Sequence, residues 1–468
     1  MSSFLNTIID GKQVSVPDDA LITAYDKALP RYTSYPTAPV WTDSVCVEAY
    51  QQNLVQLAQD GSEDISLYIH LPFCEQHCTF CACSMIATKK REVIDPYLKA
   101  VKAEFATLSQ HLGKQFKIKQ LHLGGGTPTY LDEEQMEELL AIVNAFSPFH
   151  PDAEISIECD PRWTSASKLQ TLRKLGFNRL SFGVQDVVPE VQEAIGRIQP
   201  LEVVQACLEE GRCLGFLSLN IDLVYGLPLQ TRESWKTTLA AVETLNPDRI
   251  ALFSFAFVPW MKVKQRSLTP EMLPHGKEKL AFFTDAIQTF ANLSYDFIGL
   301  DHFAKKNDEL SLAHRNHSLH RNFQGYSTHA GLDMIGVGMT SIGYVGGSFF
   351  QNEKKLSVYQ DEAMHGKLST IKGYHLTQDD HVRKWVISHL FCRQRIVKHE
   401  FETAWGKSFD EVFATENAAL QTFAEDGLVV NTADALQVTS LGRLFIRNVA
   451  SVFDAYMQSG AGKFSRSV

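Results

Sequence analysis

No stretch of this 468-residue chain is long and apolar enough to span a bilayer, which takes about 20 residues. The first ten residues, MSSFLNTIID, hold neither a basic segment nor an apolar run, so no signal peptide is expected. The protein is accordingly expected in the cytoplasm, without membrane insertion. Positive charge is in deficit: 44 Lys and Arg stand against 54 Asp and Glu, a formal charge of −10, which argues against a nucleic-acid partner. That balance still admits a small anionic substrate. Salt screens surface charge beyond about 8 Å, so a buried basic pocket can coexist with an acidic exterior. Cysteine is scarce, nine residues in all, and in a reducing compartment clustered thiols point to metal or redox chemistry before disulfides. Low-complexity segments are absent, as is any repeat beyond an alternation of strands and helices.

What is present is ordinary globular composition, 44% hydrophobic and 21% charged, in a length that suits a TIM-barrel-sized catalytic domain plus a smaller one. From about Ile65 six β-like runs appear: ISLYIHLPF, QLHLGGG, EISIECD, RLSFGVQD, LNIDLVYGLP and RIALFSFAF. Helical stretches such as EEQMEELLAIVNAF, SASKLQTLRKLG, EVVQACLEEGRCLG and ESWKTTLAAVETLN separate them, with apolar residues recurring at three and four, which implies parallel βαβ units. Polar or glycine residues close these strands (Cys74, Gly124 to Thr127, Glu158, Gln185, Asp222), and strand carboxyl ends are where parallel sheets place their chemistry. The expected fold is α/β: an N-terminal arm over 1–50, a partial TIM-like (β/α)6 barrel with an extension over 51–375, and a smaller, mostly helical domain over 376–468. Three helices and the hairpin LVVNTADALQVT make that last domain resemble a winged-helix module. Its intermixed charges favour a lid or scaffold over DNA binding.

The segment HLPFCEQHCTFCACSM (70–85) crowds Cys74, Cys78, Cys81 and Cys83 into the pattern C-x3-C-x2-C-x-C. A structural zinc site usually draws ligand pairs from distant parts of a chain, and four thiols this close can hardly surround one ion. An iron–sulfur cluster gives each thiolate its own iron, so one short loop can hold three corners of a cube. With Cys74, Cys78 and Cys81 on three irons, the fourth iron stays open, the mark of a reactive metal centre. Cys46, Cys159, Cys207, Cys213 and Cys392 are scattered and read as small apolar fillers.

A C-x3-C-x2-C triplet after a first βα-unit strand, with a glycine run after the second, resembles the radical S-adenosylmethionine (SAM) superfamily. RYTSYPT (31–37), YIHLPFC (68–74), GGGTPTYL (124–131), GVQD (183–186), NIDLVYGLP (220–228), DHFA (301–304), HRNFQGYST (320–328) and the terminal FSRSV together resemble one family within it, the oxygen-independent coproporphyrinogen III oxidases. The resemblance implies one [4Fe–4S] cluster, two SAM molecules and a tetrapyrrole substrate in haem biosynthesis. It also implies an electron donor and an acceptor that the sequence does not name, in a chain expected to act as a monomer. Cys83 belongs to the family's pattern but is not expected to bind the cluster.

Carried over by matching position, Tyr68, Gly125, Glu158 and Ile342 would contact the cluster-bound SAM. Phe80, Gly126, Thr127, Gln185, Arg197, Asp222 and Ala256 would contact the second. Tyr68, Glu158 and Arg197 are the candidates for direct roles in catalysis. Each has a plainer reading: Tyr68, Phe80 and Ile342 as core, Arg197 with Asp222 as a structural ion pair, Glu158 as a helix cap. His70, between apolar neighbours, is expected to be a satisfied core histidine. The Arg and two Tyr of RYTSYPT suit either closing over an anionic tetrapyrrole or packing as an aromatic arm. Leu29 and Phe257 depart from the family's usual Gly and His. Rival functions within the superfamily are a haem-binding chaperone and a haem-degrading methyltransferase; retention of Cys83, RYTSYPT, NFQGYST and FSRSV favours the decarboxylase.

Overall fold

The computed structural model describes residues 6–9, 11–15, 17–274, 276–457 and 464–466. MSSFL, Asp10, and Ser467 and Val468 of the FSRSV tail lie outside the described residues. The chain divides into two compact units. The cysteine unit comprises Trp41–Asp222 and Gly331–His375; the C-terminal unit comprises Met1–Val40, Leu223–Ala330 and Leu376–Val468.

In the cysteine unit the expected alternation is realised. Strands β1 (Asp64–Leu71), β2 (Lys117–Gly125), β3 (Phe149–Cys159) and β4 (Arg179–Gln185) lie side by side and parallel. Strand β5 (Ser218–Tyr225) begins next to β4. Helices α1 (Ile94–Leu112), α2 (Glu133–Phe146), α3 (Ala166–Lys174) and α4 (Leu201–Cys213) connect them. Helix α2 shows why: Asp132 and Gln135 close a capping box at its start, and Met136, Leu139, Leu140 and Val143 form one buried stripe. The strands alternate with period two. On β3, Ile155, Ile157 and Cys159 are buried while Glu154, Ser156 and Glu158 are half-buried; on β5, Leu219 and Ile221 oppose Asn220 and Asp222. One face of the sheet is thus apolar and the other polar.

Beyond β1 the sheet continues through strands that lie outside the six β-like runs read from the sequence. Strand β6 (Met334–Val337) is parallel to β1, and β7 (Ile342–Val345), β8 (Ser348–Asn352) and β9 (Thr370–His375) follow antiparallel, so the sheet is mixed. The glycines are there because backbones touch: a Cβ on Gly336 would sit 2.7 Å from the Ile342 carbonyl carbon.

In the C-terminal unit, strands Arg249–Ser254, His302–Lys305 and Tyr295–Gly299 pair antiparallel in that order, beside helices Arg232–Leu245 and Gly276–Asn292. The winged-helix resemblance holds: helices Gln378–Arg393, Lys398–Trp405 and Ala414–Glu425 accompany a three-stranded sheet of Arg395–Val397, Ala435–Val438 and Val429–Asn431. RYTSYPT is packed, not free. Tyr32 and Tyr35 lie in the core of this module with Leu390, Phe391 and Phe413, and Tyr32 Oη donates to Asp454 at 3.0 Å.

The filler reading holds for Cys159, Cys207 and Cys392, which are buried, and fails for the other two. Cys46 is half-buried at a helix N-cap, its thiol donating to Glu48 at 2.8 Å. Cys213 ends α4 on its exposed side. No helix among the described residues is long and apolar enough to cross a membrane.

Candidate active site at the strand carboxyl ends

The cysteine loop leaves β1 and is pinned at both ends of its course. Near its start, the Cys74 thiol lies 3.1 Å from Thr127 Oγ1, just past β2. Further on, the Thr79 amide donates to the Ile195 carbonyl at 3.0 Å, and Gln76 Nε2 to that of Gly196 at 3.0 Å. Gly126 makes this crossing possible: a Cβ there would lie 2.6 Å from the Pro72 carbonyl carbon. Cys78 is buried, Cys74 and Cys81 are half-buried, and Cys83 is exposed. Burial pushes the Cys74 thiol up to about 12, with Cys81 and Cys78 close enough to add to the effect and the Thr127 hydrogen bond opposing it. Among the described residues no three His, Cys, Asp or Glu side chains converge on a point that would hold a single metal ion. A cube with one iron per thiolate needs no such convergence, and three soft donors on one loop fit it.

Beside the loop, the polar face of the sheet carries a connected row. The register sets Tyr68 opposite His122, and His122 opposite Ser156. Tyr68 stacks on His122 with ring centroids 6.0 Å apart, and its hydroxyl is 2.9 Å from His70 Nδ1. His70 is satisfied as expected, its Nε2 lying 2.8 Å from the Ser84 carbonyl oxygen, and burial lowers its pKa. Glu158 accepts from the Gly125 amide at 3.1 Å and faces His122 Nε2 at 3.5 Å; it caps no helix. Burial alone would raise its carboxyl, but the His122 contact and the Gly125 N–H outweigh that and hold it below its ordinary value. Its side chain remains 44% exposed, so a ligand can reach an ionised carboxylate. Burial first, then the charge of Glu158, push the Tyr68 phenol well above its usual range.

Arg197 does form an ion pair, but with a residue the sequence reading did not name. Its partner is Asp160, at 2.9 Å, and both are buried. A second N–H donates to the Gly183 carbonyl at 2.7 Å, while Nε is buried and has no hydrogen-bond partner among the described residues. Asp160 also takes two hydrogen bonds from the Arg162 guanidinium, at 3.0 and 2.7 Å, and one from its amide, and Arg162 in turn reaches Cys78. Gln185 and Arg197 both pack against Gly183: a Cβ there would meet the Gln185 amide at 2.7 Å and Arg197 at 3.2 Å. Asp222 accepts from Asn220 Nδ2 at 2.8 Å and from Ser181 at 3.3 Å. Phe80 is half-buried on the cysteine loop, and Ile342 is buried at the start of β7. Ala256 lies in the C-terminal unit, where its carbonyl accepts from Gln265 at 3.1 Å. Asp160, Arg162 and His122 were missed by sequence reasoning; the run ECDPR at the end of β3 was the available signal for the first two.

A parallel strand array with three thiols on the loop after its first strand, and glycines and acidic side chains at the neighbouring strand ends, defines a radical SAM protein. Residues 68–242 match the radical SAM superfamily, and residues 376–445 match the HemN C-terminal domain. The chain is 40% identical to an oxygen-independent coproporphyrinogen III oxidase of Synechocystis over 96% of its length and 97% of that protein's. It is 41% identical to one of Escherichia coli, over 96% and 98% respectively. The solved structure of the Escherichia coli coproporphyrinogen III oxidase (HemN), a radical SAM enzyme, superposes with a TM-score of 0.88 at 40% identity, covering 94% of this chain and 99% of that one. The chain belongs to the oxygen-independent coproporphyrinogen III oxidases.

Proposed function

We propose that this chain converts coproporphyrinogen III to protoporphyrinogen IX in haem biosynthesis. Each of two propionates gives up CO2, one hydrogen atom and one electron and becomes a vinyl group, the electron passing to an acceptor. The observation that supports the reading most directly is the seating of Cys74 on Thr127 at a strand end, with Cys78 and Cys81 on the same loop, in a chain of this family. A [4Fe–4S] cluster and SAM, when bound and given one electron by an external donor, would supply the carbon-centred radical chemistry that removes the hydrogen atom.

Cys74, Cys78 and Cys81 would hold three irons of the cluster. Glu158, kept ionised by His122 and the Gly125 amide, offers a carboxylate to an ammonium group, and Tyr68 and Ile342 flank that position. Arg197, held rigid by Asp160 and Gly183, presents the unused Nε–H to a carboxylate. With Phe80, Gly126, Thr127, Gln185 and Asp222 of the same unit it forms the place of a second SAM. Asp222, fixed by Asn220 and Ser181, suits a ribose diol.

Anaerobic incubation of the cluster-loaded protein with SAM, dithionite and coproporphyrinogen III tests the reading. Protoporphyrinogen and 5′-deoxyadenosine should both accumulate. Stoichiometric haem binding without turnover would replace it with the chaperone reading.

A further inference from the structure

Within the C-terminal unit, a cavity of about 40 Å³ is lined by four cations, Arg31, Lys279, Arg443 and Arg447, and by one carboxylate, Asp301. The lone carboxylate is already engaged: it forms an ion pair with Arg31 and shares a 2.5 Å hydrogen bond with His302. Arg447, 6% exposed, donates only to main-chain carbonyls, those of Leu29, Pro30, Ser465 and Arg466. Carbonyls fix a guanidinium in place without neutralising it. Lys279 reaches the Phe255 carbonyl at 3.3 Å and has its stem against Gly226. Arg443, 4% exposed, donates to the Phe297 carbonyl and lies 4.3 Å from that ring's centroid. Just outside the lining, Arg321 adds another positive charge near Arg31, and Asp26 is taken by Arg466 at 2.5 Å.

Burying like charges together is costly unless a counter-charge arrives. The effect is visible on Arg31, Lys279 and Arg447. Burial, then Arg447 and Arg321, pull the Arg31 guanidinium below its ordinary value. Burial lowers Lys279 to about 8 and Arg447 to about 10. Packing alone does not call for such a pocket, since apolar side chains would fill the same space without the cost. The arginines held by main-chain carbonyls, with the half-buried Lys279 and Arg31, make a donor set suited to an anion.

We propose that this pocket binds a propionate carboxylate of the tetrapyrrole substrate, with Lys279 and Arg447 as its principal partners. The proposal rests on the reading of the chain as a coproporphyrinogen III oxidase. The cavity has room for a carboxylate group and not for a pyrrole ring, so the arm enters and the macrocycle stays outside. The substrate carries four propionates and loses two, so arms are available whose only task is to anchor it. A free dicarboxylate offers the same chemical group, and the test separates the two sources.

Coproporphyrin III, the fluorescent oxidised form of the substrate, is titrated into the full-length chain without SAM, in the parent and in Lys279→Gln. Its tetramethyl ester and succinate serve as controls. The dissociation constant for coproporphyrin III should rise about tenfold in the variant, the loss of one charge-assisted hydrogen bond. The ester should bind parent and variant alike, and succinate at millimolar concentration should not displace the porphyrin. Acetylation of Lys279 in the parent, read by mass spectrometry, should be slowed by coproporphyrin III and not by the ester, a readout independent of how the variant folds. Equal affinity of parent and variant for coproporphyrin III overturns the proposal, as does protection of Lys279 by succinate alone. Turnover by the parent is scored separately. Turnover with unaltered binding in the variant defeats only the pocket, whereas weakened binding in the variant with no turnover by the parent defeats only the decarboxylase reading.

Discussion

Cys83 stands two residues from Cys81, yet it is exposed while Cys78 is buried and Cys74 and Cys81 are half-buried, so the fourth thiol meets different surroundings from the other three. Cys74→Ser, Cys78→Ser and Cys81→Ser should each abolish cluster loading, and Cys83→Ser should retain about four irons and four sulfides per chain. Iron and sulfide analysis after anaerobic reconstitution decides this; loss in Cys83→Ser equal to the others would make it a ligand. Arg197 is a different kind of residue, because its ion pair is structural and its Nε is not yet used. Arg197→Ala should keep the cluster and lose decarboxylation by at least about a hundredfold. Asp160 keeps Arg162, so the melting temperature should fall by only a few degrees; collapse of the fold would reduce Arg197 to its ion pair. Lys279 makes a prediction about pH. It titrates near 8 in the folded chain against 10.5 ordinarily. Above pH 8 the folded lysine is neutral while the unfolded one still binds a proton, so this group adds stability as pH rises from about 8 to about 10.5. Lys279→Met should therefore be more stable than the parent at pH 7 and lose that advantage by pH 10, as urea midpoints at the two values will report.

At the scale of elements, what was legible was what chemistry or periodicity writes locally. The thiol spacing is set by a cluster a few ångströms across, and the period-two alternation of β3 to β5 names both faces of the sheet. The partnership of Arg197 with Asp160 was not legible, because the residues are 37 apart in sequence and no local pattern links them. Strands β6 and β7 were missed for a local reason. Gly336 and Gly343 are selected by backbone contact and interrupt the hydrophobic pattern by which a strand is read. The same contact logic predicts a contrast within the glycine run. Gly126→Ala places a methyl 2.6 Å from main-chain atoms of Pro72, so the segment carrying Cys74 has to move. Gly124→Ala meets the Glu158 carboxyl at 3.0 Å, a side chain that can yield. Gly126→Ala should lose most of its cluster and about 1–3 kcal/mol of stability, and Gly124→Ala markedly less of both. Equal iron content in the two would refute the close-contact account.

Over the whole molecule, a chain of formal charge −10 keeps a four-cation pocket whose members come from residues 31, 279, 443 and 447. Net charge had left such a pocket possible, but no local pattern announces one assembled from three distant segments. The N-terminal arm is built into the same unit. Tyr35 is 2% exposed and its hydroxyl accepts from the Ala455 amide at 3.1 Å, while Arg321 donates to the Arg31 carbonyl at 3.0 Å. These contacts tie residues 31–35 to the winged-helix module and to the stretch around Arg321, all within the C-terminal unit. The tyrosines then act as core and leave Arg31 as the one side chain of that motif turned toward the basic cavity. Replacing a buried aromatic by Ala costs about 3–5 kcal/mol, so Tyr35→Ala should lower the urea midpoint of this unit clearly. Deleting residues 1–40 should go further and leave the module unable to fold cooperatively, since it removes two core rings and uncovers Arg447. Trp385 and Trp405 pack against that core, so tryptophan fluorescence will follow its unfolding. An unchanged midpoint in both variants would make the arm a passenger and remove its claim to hold Arg31 at the pocket.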